Sequence, residues 1–205
     1  MTRRFSALFL AGCLAVSAPR AAAQDDETAR AQVLAALEEA LPGTLLNDPY
    51  DVSWNVHGKG HRSKVIKAEG APGGVAYQVR VKEAKRNPWD ISVQGPVSKG
   101  VSAGDVVLVA FWARAEKGAP ASIVARVAET VEPYAAAAEG DATLSENWEI
   151  HYVSGRAARD WVPGELALSF NVATGRQTLA FGQYYVMNMG PDADPQSMPS
   201  GAVDP

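Results

Sequence analysis

Val75-Ala76-Tyr77-Gln78-Val79-Arg80-Val81-Lys82 alternates apolar and polar side chains. Successive side chains of a strand point to opposite faces. Val75, Tyr77, Val79 and Val81 therefore share one face, and Gln78, Arg80 and Lys82 the other. Working outward, Trp89-Asp90-Ile91-Ser92-Val93-Gln94 repeats the scheme, with Asp90, Ser92 and Gln94 opposite the apolar set. Ala103-Gly104-Asp105 signals a turn, and the nearly unbroken apolar run from Val106 to Ala113 reads as a central strand. Ser122 to Val127 and Trp148 to Ser154 read as further strands. Glu165 to Ala173 turns Leu166, Leu168, Phe170 and Val172 inward and Ala167, Ser169 and Asn171 outward, and Thr178 to Met189 closes the series. No helical period appears after residue 45, and Gly, Pro, Asn and Asp punctuate the runs. The expectation is an all-β, two-sheet antiparallel jelly-roll sandwich over 46–190.

The first residues differ. Arg3 and Arg4 precede an apolar run from Phe5 to Ala18, Pro19 ends it, and Ala21-Ala22-Ala23 precedes Gln24. This is the layout of a Sec signal peptide over 1–23, which predicts a periplasmic or secreted protein with no transmembrane segment. Leu10-Ala11-Gly12-Cys13 offers the competing reading of a lipoprotein modified at Cys13, although the apolar run continues past it. Residues 24–45 form an amphipathic segment. Asp25, Asp26 and Glu27 open it, Val33, Leu34, Leu37 and Leu41 recur at spacings of three and four, and Pro42-Gly43 stops it. One N-terminal α-helix is expected over 28–40, packed on the domain or offered to a protein partner. The tail over 191–205 carries Pro191, Pro195, Pro199 and Pro205 with little apolar content, which predicts disorder.

Composition excludes several classes of function. Cys13 is the one cysteine of the chain, so a mature domain has no thiol nucleophile, disulfide or cysteine zinc site. The formal charge is −4 and becomes −7 without Arg3, Arg4 and Arg20, which argues against nucleic acid as a partner. There is no Gly-x-Ser-x-Gly elbow, phosphate loop or His-Glu-x-x-His motif. His57 and His61 are four apart, but Gly58 and Gly60 between them point to a loop rather than a helical ligand pair. Paired carboxylates for glycoside hydrolysis stay open, since Glu83, Asp90, Glu129, Glu132, Glu139 and Glu165 are all available.

The aromatics are more informative. Trp54, Trp89, Trp112, Trp148 and Trp161 accompany Tyr134, Tyr152, Tyr184 and Tyr185. Trp54 and Trp148 are assigned to the core by default. An aromatic exposed on a concave sheet face instead provides an apolar platform for the C–H face of a sugar, with amides and charged groups at the hydroxyl rim. Gln78, Arg80, Asp90, Ser92, Gln94, Ser169 and Asn171 have that rim chemistry, which any solvated strand face also shows.

Tyr77-x-Val79-x-Val81, Asn87-Pro88-Trp89-Asp90-Ile91-x-x-Gln94, Ala103-Gly104-Asp105 and Phe111-Trp112-Ala113-Arg114-Ala115 together resemble family 4/9 carbohydrate-binding modules. Leu144-x-x-x-Trp148, the Leu166–Val172 strand and a closing strand ending near Asn188 extend the resemblance over about 50–190. It implies a galactose-binding-like jelly roll whose concave cleft binds a plant-type polysaccharide, xylan or β-glucan, with a structural calcium ion away from the cleft and no other cofactor. Position by position, Trp89, Asp90 and Gln94 match the family's Trp-Asp-x-x-Gln-like strand. Trp112 and Arg114 match its aromatic-Ala-basic strand, and Asn171 lies on the strand contributing amides. The site expected on this basis is Arg80, Asp90, Gln94, Trp112, Arg114 and Asn171, with no catalytic residue. Trp89 shares the parity of Ile91 and Val93 and is core unless it sits at the strand's end. Two alternatives stay beside the binding protein: a structural or assembly module of the cell envelope, and a glycan-active hydrolase.

Overall fold

The computed structural model describes residues 32, 34–36, 39–51 and 53–203. The expected signal peptide and Cys13 lie outside them. Contacts divide the chain between Glu39 and Ala40. Of the helix expected over 28–40, the described residues 32, 34–36, 39 and 40 are helical.

From Thr44 onward the chain is β-structure in two antiparallel sheets, as the alternation demands. Sheet A has the order β12(Gly201–Val203), β9(Glu149–Arg156), β6(Val106–Lys117), β11(Gln177–Asn188), β4(Val75–Val81) and β3(His61–Lys67). The two-residue β1(Thr44–Leu45) pairs with the far end of β11. Sheet B has the order β2(Asn55–Gly58), β5(Ile91–Pro96), β10(Leu166–Asn171), β7(Ala121–Glu129) and β8(Ala136–Leu144).

Inward positions of both sheets interlock around aromatics. Phe170 of sheet B stacks on Phe181 of sheet A at 4.5 Å and 5°, and its ring lies 4.7 Å from Phe111. Trp54 closes one end of this stack, against Tyr77, Phe170 and Phe181, with Tyr184 edge-on at 5.0 Å. Tyr184 is buried and its hydroxyl donates to the Pro96 carbonyl at 2.8 Å. Gly95 makes room for it, since a Cβ there would lie 2.7 Å from that hydroxyl. Asn47 ties the N-terminal segment to β11 by donating to the Tyr184 carbonyl and accepting from the Val186 N–H.

Three expectations are corrected. The segment around His57 and His61 is two strands, β2 and β3, joined by a tight turn, rather than a loop. Gly58 and Gly60 turn it at φ 97° and 93°, conformations that glycine adopts without steric cost. Its two strands belong to different sheets, which sends the two histidines apart. The tail is ordered through 203: Arg156 donates to the carbonyls of Gly104, Pro191 and Ala193, and β12 pairs with β9. Between Ser122–Val127 and Trp148–Ser154 lies a strand the alternation did not show, β8.

Candidate ligand-binding cleft

The outer face of sheet B is built from strands whose inward neighbours anchor the core. One rung across it reads Asn55, Gln94, Ser169, Arg126 and Glu139. The next reads His57, Ser92, Asn171, Val124 and Asp141, and a third, of small side chains, includes Ala167 and Ala128. Over these rungs lies a cavity of about 890 Å³, with Trp89, Pro133 and Tyr134 among its lining residues. That is within the usual size of a small-ligand site.

The floor is polar. His57 Nε2 lies 2.9 Å from Gln94 Oε1 and 3.3 Å from Asn55 Nδ2, and the hydroxyls of Ser92 and Ser169 are 2.6 Å apart. Asn171 is 4% exposed, and its side-chain amide makes no hydrogen bond to another described residue. A floor amide without a protein partner is free to pair with a ligand hydroxyl, and leaving it unpaired under an apolar ligand would cost about 1–3 kcal/mol.

Two aromatics stand at the rims. Trp89 is 62% exposed in the 3₁₀ turn Pro88–Asp90 just before β5, so it escapes the parity that buries Ile91 and Val93. Asp90 holds this turn: its carboxylate accepts from the Asn87 N–H at 3.1 Å and from the Asn87 side-chain amide at 3.4 Å. The Pro88 carbonyl in turn accepts from the Ala173 N–H, fastening the platform to the end of β10.

Tyr134 is 49% exposed in the β7–β8 turn, with φ at 56°. Positive φ is costly for a residue with a bulky side chain, so the turn has to be held by its surroundings. Arg126 Nη2 donates to the Tyr134 carbonyl at 2.9 Å, and Glu129 Oε2 accepts from the Ala135 N–H at 3.1 Å. Glu129 is itself buried, accepting from Trp161 Nε1 at 2.8 Å and paired with Arg159.

The six residues expected from sequence do not form one cluster. Gln94 and Asn171 lie on the cleft floor, and Asp90 braces Trp89 from below. Arg80, Trp112 and Arg114 stand on the outer face of sheet A, on the other side of the sandwich. There Trp112 packs beside Gly182 and against a small cluster of Ala68, Ala71, Ala76, Trp148 and Ala180. The Arg114 guanidinium lies 4.9 Å from the Trp148 ring and pairs with Glu116 at 2.9 Å. Alternation shows which residues leave a strand outward but not which sheet the strand joins, so Trp112 and Asn171 looked equivalent. His57, Arg126 and Tyr134 were not in the expected set. The parity of Ser122 to Val127 would have turned Arg126 outward, whereas the position of His57 depended on recognising that β2 pairs with β5.

Glu129 and Glu139 are engaged, whereas Asp141 at the end of the second rung is exposed and makes no hydrogen bond or ion pair to another described residue. Glu129 is held as described, and Glu139 accepts from Arg126 Nε at 2.5 Å. Among the described residues no three His, Cys, Asp or Glu side chains come together as a metal-ligand set.

No family model matches the chain, and no curated protein matches it significantly. Solved structures do match in fold. A CBM4 module aligns with TM-score 0.53 at 16% identity over 66% of this chain and 86% of its own. The CBM22-1 xylan-binding domain of Paenibacillus barcinonensis Xyn10C aligns with TM-score 0.52 at 12% identity over 72% of this chain and 96% of its own. The α-L-arabinofuranosidase MgGH51 aligns with TM-score 0.53 at 10% identity, over 71% of this chain and 24% of the enzyme. CBM22 and CBM4 align equally well, so the shared feature is the β-sandwich of carbohydrate-binding modules rather than family 4/9 in particular.

Proposed function

We propose that the protein is an exported, non-catalytic carbohydrate-binding protein that takes a neutral plant-type polysaccharide, xylan or β-glucan, into the sheet B cleft. The carrying observation is the pairing of a polar floor (His57, Ser92, Gln94, Ser169 and Asn171) with Trp89 and Tyr134 at its rims. Sugars present C–H faces to aromatics and hydroxyls to amides, so this distribution suits a chain laid along the cleft. The solved domain described as xylan-binding supports the polysaccharide class by fold. Export rests on the layout of residues 1–23, and no helix of the described residues is long and apolar enough to cross a membrane.

Affinity electrophoresis against xylan, β-glucan, cellulose and mannan tests this reading. Retardation by one polymer, reduced in Asn171→Ala and Gln94→Ala but unchanged in Arg114→Ala, is the expected result. Unchanged mobility in every gel would move the assignment to an envelope assembly module.

A further inference from the structure

The outer face of sheet A carries a charge pattern opposite to that of the whole chain. Residues 59–86 hold eight of the 19 Lys and Arg but only two of the 23 Asp and Glu, within a chain of formal charge −4. The fold sets three of these cations, Arg62, Lys64 and Arg80, on two rungs that continue to Lys117 and Arg114 of β6. One rung places Arg62 of β3 opposite Arg80 of β4, then Thr178 of β11 and Lys117 of β6. The adjacent rung reads Lys64, Gln78, Ala180 and Arg114. Arg62, Lys64, Arg80 and Lys117 are exposed and have no ion-pair partner among the described residues. The one carboxylate here, Glu116, accepts from Gln78 at 2.5 Å and from Arg114 at 2.9 Å.

Two arginines directly opposite on neighbouring strands repel each other and cost stability. Protection of an exposed sheet edge accounts for cations on β3, which is the edge strand, because charge there discourages pairing with another chain. It does not account for Arg80 on the interior strand β4, or for Lys117 two strands further in. A row of cations crossing four strands, about 14 Å long at the usual strand spacing, matches an extended anionic chain. Guanidinium groups also grip carboxylates in bidentate fashion.

We infer that this face is a second, independent binding surface for a linear carboxylated polysaccharide, a polyuronate, whose regularly spaced carboxylates pair with Arg62, Arg80, Lys64 and Lys117. The chemistry of the rungs favours this class over two others. A single-stranded nucleic acid would seek exposed aromatics to stack on, and a bilayer would seek exposed apolar side chains to insert. The large exposed hydrophobics of the described residues include none from these rungs.

Fluorescence anisotropy of a labelled oligogalacturonate, titrated with the full chain at low salt, tests the inference. The expected result is saturable binding that weakens steeply with added salt. It should fall at least tenfold in the double variant Arg62→Gln/Arg80→Gln and be unchanged in Asn171→Ala. Thermal melting of the double variant controls for misfolding, and its midpoint should stay the same or rise as the opposed charges are removed. Three results would overturn the inference: no anisotropy change at low salt, binding that survives in the double variant, or equal affinity for an oligodeoxynucleotide of the same charge. Sedimentation with phosphatidylglycerol vesicles without oligogalacturonate binding would also overturn it. Because Asn171→Ala and Arg62→Gln/Arg80→Gln act on opposite faces, failure here and failure of the cleft reading are distinguishable.

Discussion

The two outer faces of the sandwich differ in what they do with their tryptophans. On sheet A, Trp148 is 8% exposed, beneath Arg114 and against small side chains, and the half-buried Trp112 flanks the same cluster. On sheet B, Trp89 is 62% exposed and Tyr134 is 49% exposed, each on a turn braced by hydrogen bonds to a carboxylate. The first pair fills a surface depression, whereas the second frames one. An outward aromatic therefore reports a ligand platform only when the backbone beneath it holds it away from its own neighbours.

The sharpest way to break this comparison is to treat the two faces alike. Trp148→Ala should cost about 3–5 kcal/mol of stability, as removal of a buried aromatic does, and leave glycan retardation unchanged. Chemical denaturation with parallel affinity gels reads both effects. Trp89→Ala should do the reverse: near-native stability with a loss of about 2 kcal/mol in glycan binding, roughly 30-fold, by isothermal titration. Equal destabilisation in both variants would erase the distinction.

The third test sharpens the role of Glu129. Glu129→Gln keeps the shape but leaves one oxygen to accept, so either Ala135 N–H or Trp161 Nε1 faces an amide NH2 and loses a bond worth about 1.5–3 kcal/mol when the acceptor is charged. Part of that loss should appear as weaker glycan binding, because the turn presenting Tyr134 relaxes. In a Tyr134→Ala background the binding loss should vanish and the stability loss remain, as a double-mutant cycle would show.

The smallest effect is one of pH and belongs to sheet A. His151 is 1% exposed and stacks on Phe111 at 5.3 Å. Burial lowers its pKa below the ordinary 6.5, and Glu149, 3.9 Å away, opposes that shift only in part. The unfolded chain then binds a proton that the folded chain resists. Its contribution to stability is full above about pH 6.5 and is lost as pH falls toward the depressed value. His151→Phe should flatten the acid side of a melting-temperature profile over that window, while glycan affinity at neutral pH stays as it was.

Much of the fold was legible because period-two alternation survives wherever one face of a strand is buried. Leu166, Leu168, Phe170 and Val172 point inward and Ala167, Ser169 and Asn171 outward, as their parity requires. β8 escaped notice because Ala136-Ala-Ala-Glu-Gly-Asp-Ala-Thr-Leu144 is mostly small residues with weak strand preference. Its Gly140 is needed for packing, since a Cβ there would lie 2.9 Å from the Val153 side chain. The tail was misread because its prolines dominate the composition, while the arginine that fastens it lies elsewhere in the chain. Of the site, the amides on β5 and β10 were visible. Strand parity does not show which sheet a strand joins, so Arg80, Trp112 and Arg114 were grouped with residues on the other face.

Tryptophan fluorescence during titration with xylo- or cello-oligosaccharide tests the central claim, that the glycan lies on sheet B under Trp89, most directly. A saturable change in emission that persists in Trp112→Phe and is lost in Trp89→Phe is the predicted result. Loss of the change in Trp112→Phe with retention in Trp89→Phe would place the ligand on sheet A and contradict the account.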